Sequence, residues 1–213
     1  MKFTLKQILG GMIALLFLGL SACKMDLEQE VWLKKDNSGK AKVFVHLNIP
    51  MGYDAASMDE MDLNSNSALK AMMEKAKEIK GVEITRFDTE TQHSEEEMNF
   101  LYTYEFNFQD LQGLQAALCI SDEKGISLQK EKKGKALSLD ARQFMVVEEA
   151  DQETLAYLEY VDTTLKTIIH LPKKPKLASS DGVIDKKNKT VSWTTKITQD
   201  WYSPSEQVMK VVF

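Results

Sequence analysis

Histidine and cysteine, on which most transition-metal and nucleophilic sites depend, are rare in this chain of 213 residues. The three histidines, His46, His93 and His170, are far apart in the sequence, and no His-x-His or Cys-x-x-Cys spacing occurs. There is also no Gly-x-Ser-x-Gly motif and no glycine-rich phosphate loop. The sequence therefore predicts no metal, no cofactor and no catalytic residues, and we expect a protein that is not an enzyme.

Long apolar runs are missing too, except for one near the amino terminus. Residues 8–20 form an uncharged, mostly apolar stretch, preceded by Lys2 and Lys6. This stretch is shorter than the roughly 20 residues that a helix needs to cross a bilayer. A positive start, a short apolar stretch and a small-residue site are typical of a cleaved secretory signal peptide. We expect residues 1–22 to be that peptide, helical before it is cleaved, and residues 23–213 to form one domain.

The four residues Leu20-Ser21-Ala22-Cys23 resemble the lipobox of bacterial lipoproteins. The resemblance implies cleavage before Cys23, a diacylglycerol on its sulfur and an acyl chain, commonly palmitate, on the new amino terminus. Two or three chains hold a protein firmly, since each buried methylene contributes about 0.8 kcal/mol. The alternative is an ordinary signal peptide with an incidental cysteine. Lys24 follows, where enterobacterial lipoproteins of the inner membrane carry Asp, and this favours the outer membrane, on its periplasmic or surface face.

The remaining cysteine and the charge restrict the domain further. With Cys23 acylated, Cys119 has no disulfide partner, and its neighbours Leu118 and Ile120 are typical of a buried thiol. Loss of Lys2 and Lys6 changes the net charge from −5 to −7. No basic patch is evident along the sequence. The acidic balance therefore argues against nucleic acid as a partner and against binding anionic headgroups by charge.

Alternating apolar residues predict a largely antiparallel sheet. Residues 25–33 and 43–49 alternate on either side of a polar turn that ends at Gly39, which predicts a hairpin with the glycine at positive φ. Further strands are predicted at the positions that follow: 82–91, 126–133, 136–147, 163–171, 190–197 and 207–213.

The strongest periodicity places an aromatic residue at every second position of residues 100–108. In a strand all these rings lie on one face. They either fill the core or, together with methionines of a covering helix, line an adaptable apolar pocket for a lipid or other amphiphile. The candidate ligand-binding residues are Phe100, Tyr102, Tyr104, Phe106, Phe108, Met72 and Met73.

Helical spacing is confined to three segments. The longest is an amphipathic helix that begins at Asn66 or Ser67, has an apolar stripe ending at Ile79 and stops at Gly81. A short helix follows Asp110, and another is predicted over residues 148–160. The predicted fold class is therefore α+β: a largely antiparallel β-sheet with one longer amphipathic helix and one or two short helices.

Several of these pieces together resemble the LppM-type bacterial lipoprotein domain. They are Cys23 followed closely by a strand at 26–33, the turn at 35–39, the strand end Ile169-His170-Leu171-Pro172, and the turn and strand at 188–193. Asn37 stands where family members commonly have the first glycine of the hairpin turn. The resemblance implies a mixed α/β lipoprotein fold and, in at least one branch of the family, lipid binding.

Two functions remain open at this stage. The first is a membrane-anchored, non-catalytic module that binds a lipid or other apolar ligand against the aromatic strand. The second is a structural or interaction lipoprotein of the cell envelope, with a protein partner, no small-molecule ligand and apolar faces that are all core.

Overall fold

The computed structural model of the chain describes residues 24–50, 77–94, 96–118, 125–131, 134–140, 162–179, 181–197 and 208–213. Within these ranges lie eleven strands and one helix, α1 (Leu111–Ala117). The strands are β1 (Lys24–Leu33), β2 (Gly39–Pro50), β3 (Val82–His93), β4 (Glu97–Phe108), β5 (Ile126–Glu131), β6 (Gly134–Asp140), β7 (Asp162–His170), β8 (Leu177–Ala178), β9 (Val183–Asp185), β10 (Thr190–Ile197) and β11 (Val208–Val212).

Seven strands form the larger sheet, in the order β3-β4-β2-β1-β7-β10-β9. Neighbouring strands are antiparallel except for β1 and β7, which run parallel at the centre of the sheet. The other four strands form a second, antiparallel sheet in the order β5-β6-β11-β8.

One face of the larger sheet is the main part of the hydrophobic core. Successive side chains of a strand point to opposite faces, so the alternating apolar residues of β1, β2 and β4 are all buried on the same side. Leu137, Leu139, Met209 and Val211 of the smaller sheet belong to the same core cluster. The opposite face of β1, β2 and β7 is half-buried and mostly polar.

The predicted strands are confirmed closely where the structure describes them. The hairpin of β1 and β2 is present, and β10 has the bounds that the alternation predicts. The short helix after Asp110 is α1, and the Asp110 carboxylate caps it by accepting a hydrogen bond from the Gly113 amide at 2.8 Å.

The predicted fold class, α+β with several helices, is wrong. The described residues are mostly strand, and their only helix is the seven-residue α1. Residues 77–81, where the long amphipathic helix was expected to end, form turns instead. The remainder of that helix and the one predicted over residues 148–160 lie outside the described residues. Local apolar spacing indicated helices, but it does not show how much of the chain pairs into sheets, because the partners of a strand are distant in the sequence.

The turn between β1 and β2 also differs from its prediction. Asn37, with φ of 70°, adopts the left-handed conformation that was expected of Gly39. Asn is one of the few residues besides glycine that tolerate this conformation. Gly39 is required for a different reason: a Cβ there would lie 2.0 Å from the main-chain oxygen of Trp32 and 2.6 Å from Cζ of Phe108.

Candidate functional site

The aromatic strand predicted as a ligand-binding surface is β4, next to the edge of the larger sheet. Its rings all point to the core face, and none is more than 7% exposed. They pack on one another along the strand, with ring centroids 4.9 Å apart for Tyr104 and Phe106 and 6.4 Å apart for Phe106 and Phe108. The five aromatic residues are therefore brought together as predicted, and all of them are buried. Met72 and Met73, the methionines expected above them, lie outside the described residues.

Two paired polar side chains interrupt this apolar face at the centre of the sheet, in addition to Thr163 of β7. Gln29 of β1 and Thr167 of β7 are register partners on the two parallel strands, and they are 3% and 0% exposed. Their row continues through Val43 of β2 to Tyr104 of β4 in one direction and to Trp193 of β10 in the other. The Gln29–Thr167 pair thus lies two strands from the aromatic residues, on the same face.

Neither Oε1 of Gln29 nor Oγ1 of Thr167 has a hydrogen-bond partner among the residues that the structure describes. A buried polar atom without a partner costs about 1–3 kcal/mol, and native proteins contain few of them. Two such atoms on directly paired residues are therefore suited to share one hydrogen-bonding group supplied from elsewhere.

Sequence analysis did not single out Gln29 or Thr167, although the strand pattern contained a signal for both. Gln29 takes the place of an apolar residue between Leu27 and Val31, and Thr167 does so between Leu165 and Ile169. A polar residue at a buried position of an alternating strand is the kind of inconsistency that marks a functional or specificity-determining position.

On the opposite face the structure gives two of the three histidines polar partners. Nε2 of His46 lies 2.6 Å from Oδ1 of Asn99, and Nε2 of His170 lies 2.5 Å from Oε1 of Glu30. The ring of Trp32 stacks on that of His170 at 4.8 Å. These contacts join neighbouring strands across an accessible face, and none of them places a nucleophilic side chain beside either histidine.

The Glu97 carboxylate belongs to the same cluster of polar side chains, because Asn99 contacts both His46 and Glu97. The Glu97 carboxylate accepts hydrogen bonds from Nδ2 of Asn99 at 2.9 Å and Nδ2 of Asn48 at 2.6 Å. These hydrogen bonds lower the pKa of Glu97 from its usual value of 4.5, because they favour the charged form. The group stabilises the pairing of β2 and β4.

The described part of the chain shows neither a metal cluster nor a membrane-spanning helix, and it begins just after Cys23. No group of three or more His, Cys, Asp or Glu residues there is arranged to hold a metal ion. No helix within the described ranges is long and apolar enough to span a bilayer. Cys23 itself lies outside these ranges, and β1 begins at the next residue, Lys24. The ammonium group of Lys24 pairs with the Asp26 carboxylate at 2.9 Å, which raises the pKa of Lys24.

Comparison with known proteins gives similarities of structure. No family model and no curated protein sequence matches the chain. A M1 zinc metallopeptidase from Deinococcus radiodurans is 8% identical with a TM-score of 0.35, over 89% of this chain and 41% of that one. This chain therefore spans less than half of the peptidase. The Fcho1 Mu homology domain of Danio rerio is 9% identical with a TM-score of 0.27, over 89% and 77% of the two chains.

The folded domain of LppM from Mycobacterium tuberculosis is a further structural match. It is 10% identical with a TM-score of 0.38, and the match covers 88% of this chain and 87% of the LppM domain. A likeness at this level carries neither an activity nor a ligand from LppM to this chain. The sequence predicted a resemblance to an LppM-type domain, and the LppM domain is among the solved structures that the chain matches.

Proposed function

We propose that this protein is an exported, non-catalytic lipoprotein, tethered through Cys23, whose β-domain binds a lipid or other amphiphile against the core face of its larger sheet. The tether is supported by the lipobox-like residues 20–23 and by the short apolar segment before them. The match to LppM fits a lipoprotein of this type. The outer membrane is the proposed location, because Lys24 follows the cysteine.

The observation that carries the binding proposal is the Gln29–Thr167 pair. An amphiphile has an apolar body that suits the aromatic residues of β4 and a polar group that suits a buried hydrogen-bonding position. Oε1 of Gln29 accepts a hydrogen bond, while the Thr167 hydroxyl can both donate and accept. A ligand hydroxyl, amide or protonated carboxyl could satisfy both atoms at once, and this would remove the cost of leaving them unpaired.

The complete burial of the aromatic residues of β4 favours the second candidate, a structural or interaction lipoprotein of the envelope. None of the five rings is more than 7% exposed. If they stay buried in every functional state, the sheet needs no ligand. The two candidates then differ in whether a group from outside the protein reaches the Gln29–Thr167 pair.

Native mass spectrometry of the full chain, released from a maltoside detergent, tests the binding proposal. We expect a co-purified lipid of defined mass, and saturable binding of the fluorescent fatty acid cis-parinaric acid. The double variant Gln29→Met and Thr167→Val preserves the side-chain volumes and removes both polar groups. It should weaken parinaric acid binding about tenfold, because each hydrogen bond is worth about 0.5–1.5 kcal/mol.

Thr163→Val is the matched control for this experiment. Thr163 is on the same strand as Thr167 and on the same buried face, at 1% exposure, but unlike the Thr167 hydroxyl it is not a buried group left without a partner. Its substitution should leave parinaric acid binding unchanged. A protein without bound lipid, combined with no saturable fatty acid binding in the wild type, would establish the structural candidate instead.

A further inference from the structure

A cavity with a volume of about 590 Å³ lies at the end of the larger sheet where β1 finishes. Three segments distant in the sequence meet there: the β1–β2 turn, the β5–β6 hairpin and the segment that follows β7. Six lysines line the cavity, two from each segment: Lys34, Lys35, Lys130, Lys135, Lys173 and Lys176.

Four of these six lysines lack an acidic partner among the residues that the structure describes. Among the described residues that line the cavity, Glu131 alone has a carboxylate side chain, and it forms an ion pair with Lys210 at 2.7 Å. The pKa of the nearby Asp36 is lowered mainly by hydrogen bonds from Ser38 and only slightly by the charge of Lys34, with which it forms no ion pair. Across the described ranges, Lys35, Lys130, Lys135 and Lys173 have no carboxylate within ion-pair distance. By contrast, the lysines at positions 24, 166, 196 and 210 each have an acidic partner.

Main-chain hydrogen bonds hold the three segments in place, and in the segment that follows β7 the Lys176 amide donates to the Val212 carbonyl at 2.7 Å. The Lys34 amide donates to the Ser38 carbonyl at 2.8 Å, which closes the β1–β2 turn. Lys135 and Phe213 exchange two hydrogen bonds, at 3.1 and 2.9 Å, and thereby tie the β5–β6 hairpin to the residue after β11. Gly134 permits this close approach, since a Cβ there would lie 2.3 Å from the Phe213 oxygen. The lysine side chains are therefore carried by a fixed backbone frame.

The cavity also has an apolar part. Leu128, Pro172 and Phe213 line it, and Phe213 is only 5% exposed. A concave site in which one sign of charge predominates, as the lysines do over Glu131 here, concentrates the electric field and attracts a ligand of opposite charge. Its volume lies within the range of about 300–1,000 Å³ that is usual for small-molecule sites, and it exceeds what a single small anion needs.

From this geometry we propose that the six-lysine cavity binds a phosphate-bearing ligand whose remainder contacts Leu128, Pro172 and Phe213. A phosphate monoester carries about −1.5 to −2 charges at pH 7 and three acceptor oxygens, so it can engage several ammonium groups simultaneously. A carboxylate carries one charge and benefits less from a cluster of this size. This site is separate from the Gln29–Thr167 pair and does not depend on the lipid binding proposed above; only its placement relative to the membrane rests on the proposed tether at Cys23.

The position of the cavity distinguishes it from a surface that contacts the tethering membrane. Lys24, beside the proposed anchor, and Lys34 are at opposite ends of β1, which at about 3.3 Å per residue places them roughly 33 Å apart. Headgroups of the bilayer that holds Cys23 are thus not the natural occupants. The ligand is either a free phosphate compound or a phospholipid removed from its bilayer.

Isothermal titration of the full chain in a neutral, phosphate-free maltoside solution tests this proposal. The probes are inorganic pyrophosphate, dihexanoyl phosphatidic acid and hexanoate. We expect at least one of the two phosphate probes to bind, with an affinity that falls as salt is added, and hexanoate to bind at least tenfold more weakly. The triple variant Lys35→Gln, Lys130→Gln and Lys173→Gln should lose at least tenfold in affinity for the phosphate probe.

The control is a second triple variant with the same change in charge: Lys80→Gln, Lys186→Gln and Lys187→Gln, all at exposed positions away from the cavity. It should retain wild-type affinity. Tighter binding of phosphatidic acid than of pyrophosphate would identify a lipid headgroup as the source, and the reverse a free phosphate compound. Three outcomes would each overturn the proposal: binding of neither phosphate probe, equal losses in the two triple variants, or equal binding of hexanoate that is also lost in the triple variant of Lys35, Lys130 and Lys173.

Discussion

At the scale of single residues, the Gln29–Thr167 pair makes a prediction about the ligand-free protein. Because the Thr167 hydroxyl is fully buried and has no partner in the described part of the chain, Thr167→Val should stabilise the delipidated chain, by about 1–3 kcal/mol. Val also suits a strand better than most residues. Chemical denaturation measures the difference. The Thr163→Val control should give no such gain, and an equal gain in both variants would show that the unpaired hydroxyl is not the cause.

A second residue-scale prediction concerns Asp185, the last residue of β9, before the turn to β10. Its carboxylate accepts hydrogen bonds from the amides of Asn188 and Lys187 and from Nδ2 of Asn188, at 3.1, 2.9 and 2.7 Å. The Asn188 amide is the main cause of a pKa lowered from the usual 3.8. A carboxylate whose pKa is depressed by folding stabilises the folded state above its unfolded pKa, and this contribution is lost as the pH falls through the folded pKa.

The measurement for Asp185 is an NMR titration of its carboxyl carbon. The midpoint should lie below 3.8 in the wild type. It should rise toward that value in Asn188→Ala, which removes the side-chain donor and leaves the main-chain amides in place. An unchanged midpoint in the variant would mean that the Asn188 side chain does not contribute to the shift.

At the scale of elements, the β1–β2 hairpin shows how a glycine can be required without a positive φ. A methyl group on Gly39 would collide with the Trp32 carbonyl and the Phe108 ring, both in neighbouring strands. Gly39→Ala should therefore destabilise the protein by about 1–3 kcal/mol through overpacking, as measured by thermal or chemical unfolding. Asn37→Gly, at φ of 70°, is the control and should be nearly neutral. The opposite order of these two effects would contradict the assigned roles.

The strands themselves could be predicted from the sequence because their alternation reports burial directly. β1, β2, β4, β7 and β10 each have one buried face at the expected positions. The order of the strands could not be predicted. β1 and β7 pair in parallel although more than 130 residues separate Glu28 from Lys166, and nothing local in either strand specifies the other. The fold class failed for the same reason, since local spacing indicates elements but not how many pair into sheets.

The aromatic residues of β4, the Gln29–Thr167 pair and the six-lysine cavity were predictable to different degrees. The aromatic residues of β4 were evident because they are adjacent in the alternation. The Gln29–Thr167 pair has a signal in each strand, but its meaning depends on the parallel pairing that joins them. The six-lysine cavity had no such signal, since each segment supplies only two of its lysines and the overall charge is acidic. Its charge density is a property of the tertiary fold.

At the scale of the whole molecule, the connection between anchor and domain is short. β1 begins at Lys24, directly after the proposed lipidated cysteine, and it is hydrogen-bonded on both sides, to β2 and to β7. A force on Cys23 is thus transmitted to the centre of the larger sheet and not to an edge or a flexible linker. The six-lysine cavity at the other end of β1 would consequently point away from the tethering membrane.

This arrangement requires acylation of Cys23, and a labelling experiment can examine it with an internal control. Cells that produce the full chain are grown with an alkyne analogue of palmitate, and the purified protein is tested for the label. Cys23→Ser should abolish labelling and release the protein from the membrane fraction, because the thiol that carries the diacylglycerol is removed. Cys119→Ser removes the other cysteine of the chain and should leave labelling and membrane attachment intact. Label that persists in Cys23→Ser would show that the chain is held in another way, and the orientation of the β-domain would then have to be established independently of β1.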